Sequence, residues 1–181
     1  MMMLRARDVR SYNFTSKDQL FLDANIWLYV YAPQKPRHPR VAIYSEMFKR
    51  IIAAESHIHI DVLVVSEFIN AYARMKWRLV RGDNEKFKEF RNSSRFTPIA
   101  EEIADSAKRV ISQCSRIESG FETLNADNLL DVYSTGNSDF NDQVIAELCK
   151  SKELTLVTDD SDFKGQRISV LTGNRHLLNS L

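Results

Sequence analysis

Short apolar runs alternating with longer helical segments place this chain in the α/β class, around a mostly parallel sheet. Leu20–Leu22 and Leu154–Thr158 are compact apolar stretches, and each runs straight into aspartate. Gly and Pro number only 5 and 4 among 181 residues, which argues against an all-β chain full of tight turns. Hydrophobic residues make up 44% of the sequence, enough to bury a substantial core. The length fits one domain over residues 1–181.

The elements follow in order. A polar lead-in precedes a strand at Leu20–Asp23, and Asn25–Ala32 begins a helix. Pro33, Pro36 and Pro39 punctuate a basic loop. Val41–Ala54 has helical spacing, with Ile43 or Tyr44, Met47 or Phe48, and Ile51 on one face. His57–Ile60 alternates as a second strand, and Asp61 is placed to cap a helix over Val62–Val80. Asp83–Asn92 reads as a short charged helix. Pro98 suits the first turn of a helix reaching about Ser119, with Ile99, Ile103, Ala107, Val110 or Ile111, Cys114 and Ile117 as its stripe. Phe121–Tyr133 is ambiguous between a short strand followed by a helix and other arrangements. Gly136–Ser138 is a turn, Asp139 caps a helix over Asn141–Ser151, and Leu154–Thr158 and Ile168–Leu171 are the last strands.

The formal net charge is +1, so the chain as a whole is not an evident polyanion binder. Its cations nevertheless cluster, in Lys35–Arg40, Arg74–Arg81 and Lys86–Arg95. Met1–Asp18 lacks the apolar core of a signal peptide, and no later stretch is long and apolar enough to span a bilayer. Cys114 and Cys149 lie far apart without metal-ligand spacing. A cytoplasmic location is the resulting expectation.

The chemistry lies in the carboxylates. In a parallel α/β sheet, strands ending at Asp23 and at Asp159–Asp160 deliver those side chains to the carboxyl edge, where such folds bind ligands. Glu67 lies near the start of one helix and Asp142 in the first turn of another, so both can face the same crevice. Asp142 sits among Val144, Ile145 and Leu148, and Glu67 among Val64, Val65, Phe68 and Ile69. Inward carboxylates need a partner, and for Glu67 a salt bridge to Arg74 is the ordinary alternative. Carboxylates gathered in one pocket repel unless cations compensate. Oxygen-only ligation suits Mg²⁺ or Mn²⁺ and phosphate chemistry, which leaves nuclease and phosphatase both open.

Four motifs carry a family resemblance. Leu22-Asp23-Ala24-Asn25-Ile26 resembles the Asp-x-Asn opening of PIN-domain nucleases, and Ser66-Glu67-Phe68-Ile69-Asn70 resembles their second motif. Asp139-Phe140-Asn141-Asp142-Gln143-Val144-Ile145-Ala146 is similar to the third, roughly Asp-x-x-Ile-Ala. Leu156-Val157-Thr158-Asp159-Asp160-Ser161-Asp162-Phe163 is similar to the fourth, Thr-x-Asp-x-Asp-Phe. They occur in the right order from residue 22 to 163.

The resemblance implies a three-layer sandwich with helices on both faces of the sheet. It implies a Mg²⁺- or Mn²⁺-dependent endoribonuclease, with Asp23, Glu67, Asp142 and Asp160 as metal ligands. Asp162 is then an additional ligand or an outer group, and Asn25 and Thr158 are hydrogen-bonding supports. Many family members are VapC-like toxins that dimerise and are silenced by an antitoxin protein. The stretch from about 81 to 138 is longer than in compact toxins and reads as an added helical segment.

Other features carry less. His57 and His59 share one side of a strand without a third ligand, Trp27, Tyr29 and Tyr31 suit core packing, and Ser66 lacks a His partner. Two rivals stay open: a catalytically silent RNA- or protein-binding module of the same fold, and a phosphatase. The segment Asp23-Ala24-Asn25 departs from the Asp-x-Thr continuation of haloacid-dehalogenase-like phosphatases.

Overall fold

Leu20, Phe21, Leu22, Leu156, Val157 and Leu171 are fully buried, as strands covered on both faces require. A computed structural model describes residues 6–33, 38–136 and 138–179. Its six strands are β1 (Arg7–Asp8), β2 (Gln19–Leu22), β3 (His57–Ile60), β4 (Ser115–Arg116), β5 (Thr155–Val157) and β6 (Val170–Thr172). They form one sheet in the order β1-β6-β5-β2-β3-β4, and every pairing is parallel.

The helices are α1 (Ala24–Tyr31), α2 (Pro39–Ala53), α3 (Val62–Val80), α4 (Phe87–Arg91), α5 (Thr97–Ser112), α6 (Ala126–Ser134), α7 (Phe140–Ser151) and α8 (Arg175–Leu178). The chain steps outward from β2 to β3 to β4, then returns to β5 and β6 on the other side of β2. With right-handed crossovers, that reversal places α1–α5 on one face of the sheet and α6–α7 on the other. The switch point falls between β2 and β5, and its carboxyl edge is where a ligand crevice opens.

Local signals account for most boundaries. Asp61 caps α3 by accepting the Val64 N–H at 3.0 Å, and Asp139 caps α7 through Asn141 N–H at 2.8 Å. Tyr44, Met47 and Ile51 form the buried stripe of α2. Trp27 is fully buried and stacks on Tyr31, while Tyr29 stacks between His38 and Tyr44, so the aromatic run after β2 belongs to the core. His59 Nε2 lies 2.7 Å from Gln19 Oε1.

Several expectations are corrected. The helix expected to reach Ser119 stops at Ser112, and Ser115–Arg116 turns back as β4 beside β3. Ile117 N–H donates to Ile60 O at 2.9 Å, so it is strand-edge backbone and not helix stripe. The polar lead-in contains β1. Both missed strands are two-residue edges with polar sequences, which lack the apolar alternation that marks a strand. In the charged run Asp83–Asn92, only Phe87–Arg91 is helical. At Phe121–Thr123 a single 3-10 turn replaces the short strand considered there. The segment 81–138 is therefore not only helical, since β4 widens the sheet and α5 packs on α3. The basic loop after Pro33 falls largely on residues 34–37, outside the described residues. Among the described residues, no helix is long and apolar enough to cross a membrane.

Candidate active site

The β2–β5 register sets Leu22 opposite Val157, so the next residues, Asp23 and Thr158, stand side by side at the carboxyl edge. Asp23 is only 5% exposed. Its Oδ1 accepts the Ala24 N–H at 2.6 Å, which makes it the cap of α1. Its Oδ2 accepts the Thr158 hydroxyl at 2.7 Å and the Asn25 side-chain amide at 2.5 Å. Burial is the largest influence and pushes the carboxyl up to about 6; the three hydrogen bonds oppose it, and the charge of Asp160 adds to it.

Thr158 and Asn25 hold more than Asp23. The Thr158 hydroxyl oxygen accepts the Asp160 N–H at 3.0 Å, and Asn25 Oδ1 accepts the Asp159 N–H at 3.2 Å. These contacts fold the chain after β5 into a tight turn beside Asp23. Asp160 Oδ1 then accepts the Asp162 N–H at 3.0 Å, capping the 3-10 turn Ser161–Phe163. The Asp162 side chain itself is exposed.

Two more carboxylates face Asp23 from helices. Glu67, in the second turn of α3, rises to about 7, first through loss of water and then through the charges of Asp23, Asp139 and Asp160. Asp142, in the first turn of α7, also rises to about 7, through loss of water and then Asp23, Asp160, Asp139 and Glu67. Neither accepts a described hydrogen bond. Among the described residues, none of Asp23, Glu67, Asp139, Asp142 and Asp160 is in an ion pair.

Burial of Glu67 is corrected: its residue lies open on the helix surface, at the rim of a crevice whose walls crowd its carboxylate. Arg74 does not neutralise it. That guanidinium sits over the Phe87 ring, 4.7 Å from its centroid. Asp142 is half-buried.

Behind the turn lies a network that sequence reasoning missed. Asp159 Oδ1 accepts from Arg40 Nη1 and from the Tyr44 hydroxyl, the latter at 2.7 Å. The Tyr44 oxygen accepts the Gly173 N–H at 2.9 Å, and Asn174 Nδ2 donates to Asp159 O at 2.7 Å. The start of α2 and the end of β6 are thus tied to the turn that carries Asp160. A Cβ on Gly173 would meet Ile43 Cγ2 at 3.0 Å, so this approach suits glycine. No motif links Arg40 or Tyr44 to Asp159, because they are 119 and 115 residues apart in sequence. Asp139 was also underestimated. It caps α7, and its charge acts on both Glu67 and Asp142. Its spacing of three residues before Asp142 was the available signal, since such pairs share a helix face.

The donor set is all oxygen, which suits a hard divalent cation. No three His, Cys, Asp or Glu side chains among the described residues converge closely enough to hold one ion directly. Magnesium keeps several waters and takes one or two protein carboxylates directly. The arrangement therefore fits a cation held partly through water, and it does not form a closed protein cage.

A family model described as PIN domain matches residues 20–167. The chain is also similar in structure to PAE2754 from Pyrobaculum aerophilum, with a TM-score of 0.52 and 18% identity. That alignment covers 97% of this chain and 96% of PAE2754, and at such identity the likeness concerns the fold alone. No curated protein matches the sequence.

Proposed function

This chain belongs to the PIN domain family, whose members are generally nucleases, and from its carboxylate edge we propose a divalent-metal-dependent endoribonuclease. The observation that carries the proposal is the gathering of Asp23, Glu67, Asp142 and Asp160 at one edge with no protein cation paired to any of them, the first three raised by burial and then by neighbouring carboxylates. A cluster of that kind gains most from an added cation. Asp23, Glu67, Asp142 and Asp160 would hold Mg²⁺ or Mn²⁺, and Asp162 would act from its exposed position through water. When bound, the cation neutralises phosphate charge, polarises the scissile phosphate and acidifies water.

The chain's own residues divide the work. Asn25 and Thr158 orient the Asp23 carboxylate through its Oδ2, so it would be offered to a cation in one fixed rotamer. Burial and neighbouring carboxylates raise Glu67 and Asp142 to about 7, so both would give up protons to a cation held there. Asp139 adds negative charge beside both, raising the gain from cation binding.

The test is cleavage of a labelled RNA pool with Mn²⁺, Mg²⁺ or EDTA, beside identically prepared Asp142→Asn protein. Metal-dependent cleavage lost in the variant is expected; full activity in Asp142→Asn sinks the mechanism. The alternative reading is a catalytically silent RNA- or protein-binding module, against which the presence of all four acidic positions, Asp23, Glu67, Asp142 and Asp160, speaks. Calorimetric titration with Mn²⁺ separates the two, since an empty titration supports the silent module. Membership among VapC-like toxins, with a homodimer and an antitoxin partner, is a narrower form of the proposal. Inhibition by a small protein encoded beside this chain would support it.

A further inference from the structure

The positive charge of this protein is concentrated in one region. Residues 74–95 contain eight Lys or Arg against three Asp or Glu, a net of +5 in a chain whose total is +1. The rest of the molecule, which includes the acidic crevice, is therefore net negative. Within the basic region, three exposed arginines occupy one line of α3 and its C-terminal cap: Arg74, Arg78 and Arg81. Their spacing of four and three residues puts them on a single helix face.

Glu67 lies on that same line, seven residues before Arg74. At about 1.5 Å per residue, Arg74 stands roughly 10 Å and Arg81 roughly 21 Å along the axis from Glu67. None of the three arginines is in an ion pair among the described residues. Two rest on aromatic faces, Arg74 over Phe87 and Arg81 over Trp77 at 5.2 Å from the ring centroid. Ring contact of this kind holds a guanidinium in place while leaving its N–H donors free for another acceptor.

We propose that Arg74, Arg78 and Arg81 form a track for the backbone of single-stranded RNA, leading along α3 into the carboxylate site at Glu67. The inference deepens the nuclease reading and rests on it for the direction of the strand. A solvated cationic helix face would not need to align with an acidic catalytic position or to keep its arginines unpaired. The track holds phosphates, and the crevice supplies the cation-dependent chemistry at its end.

The test is fluorescence anisotropy of a labelled single-stranded RNA oligonucleotide in EDTA, across a salt series, so that binding is read without cleavage. Arg74→Gln/Arg78→Gln/Arg81→Gln protein is compared with wild type and with Lys17→Gln/Lys49→Gln/Lys108→Gln protein of equal charge. The arginine variant should bind at least about tenfold more weakly, and its log K against log salt slope should fall by about 2 for three lost single-strand contacts. The lysine variant should stay within about threefold of wild type. Arg78→Gln alone, which disturbs no ring contact, should weaken binding about threefold and guards against misfolding of the triple variant.

Equal weakening in both triple variants overturns the track, as does wild-type protein that fails to bind RNA at low salt. Tighter arginine-dependent binding of an acidic peptide than of RNA overturns it in favour of a protein partner. In cleavage assays the arginine variant should lose mainly in KM. RNA bound along the track but never cleaved by wild type would leave the track standing and remove the nuclease reading instead.

Discussion

The two sides of the carboxylate crevice are built differently. On the strand side, Asp23 accepts three hydrogen bonds, and Asn25 and Thr158 lock its position relative to the turn after β5. On the helix side, Glu67 and Asp142 accept none that is described, and each is raised to about 7 by lost solvation and neighbouring charge. The strand side is fixed before any ligand arrives. The helix side holds its carboxyls partly protonated near neutrality, a state that an added cation would shift toward full ionisation. A site of this design sets position with backbone and hydroxyl groups, and keeps its unfavourable charge where the ligand can relieve it.

The largest expected effect comes from breaking the fixed side. Asp23→Asn should lose more activity than the roughly 10–100-fold carried by outer partners of a metal ligand. The same variant should be more stable than wild type at pH 8 without metal. Raising Asp23 from 3.8 to about 6 corresponds to roughly 3 kcal/mol of ionisation cost, and asparagine removes it. Thermal melts in EDTA beside activity assays check both; a variant that loses stability at pH 8 contradicts the account of Asp23.

Next in size is the network behind the turn. Arg40→Met leaves Asp159, whose side chain is 9% exposed, without its cation. A destabilisation of about 1–3 kcal/mol is expected, discounted because Arg40 is partly open to solvent. Mn²⁺ affinity should drop about tenfold as the turn carrying Asp160 loosens. Adding Asp159→Asn to Arg40→Met should recover part of the stability, because the unpaired buried charge is gone. Strictly additive losses in the double variant would show that the two residues act separately.

Both sides of the crevice leave a signature in pH. Asp23, Glu67 and Asp142 bind protons more tightly in the folded protein than their ordinary values of 3.8, 4.5 and 3.8. Their stabilising protonation is complete below about pH 4 and is lost as pH rises through about 6 for Asp23 and about 7 for Glu67 and Asp142. This contribution to metal-free stability therefore falls with increasing pH across that window. Glu67→Gln should flatten the fall, and a steeper fall in that variant would contradict the sign. Mn²⁺ binding should accordingly release more protons at pH 6 than at pH 8, measured by calorimetry in buffers of different ionisation enthalpy.

Asp162→Asn should have the smallest effect, a loss of activity of no more than about tenfold. Its carboxylate is exposed, and the turn needs only its backbone N–H. A loss as large as that of Asp23→Asn would place Asp162 on the fixed side with Asp23.

Much of this was legible in the sequence because it rests on short-range physics. Compact runs of three and five residues, Leu20–Leu22 and Leu154–Thr158, marked β2 and β5. Asp61 and Asp139 announced the starts of α3 and α7, since caps act within three residues of themselves. Asp23, Glu67, Asp142 and Asp160 could be singled out by their place after strands and in early helical turns. What failed was equally local in cause. β1 and β4 are polar edges of two residues, too short to show a period, and the stripe through Cys114 and Ile117 mimicked a longer α5.

Tertiary structure decided the rest. The switch point between β2 and β5, and the place of β1 beside β6, depend on pairings between residues more than 100 apart. That register makes Thr158 the partner of Asp23 and brings Arg40 and Tyr44 to Asp159. It also sets how far each carboxylate leaves water, since burial depends on which walls surround a side chain and not on its neighbours in the chain. The sequence by itself determined which residues carry charge and which local elements hold them. Packing determined which charges face one another, because electrostatic coupling follows distance through space and sequence spacing reports distance only within a single helix or strand.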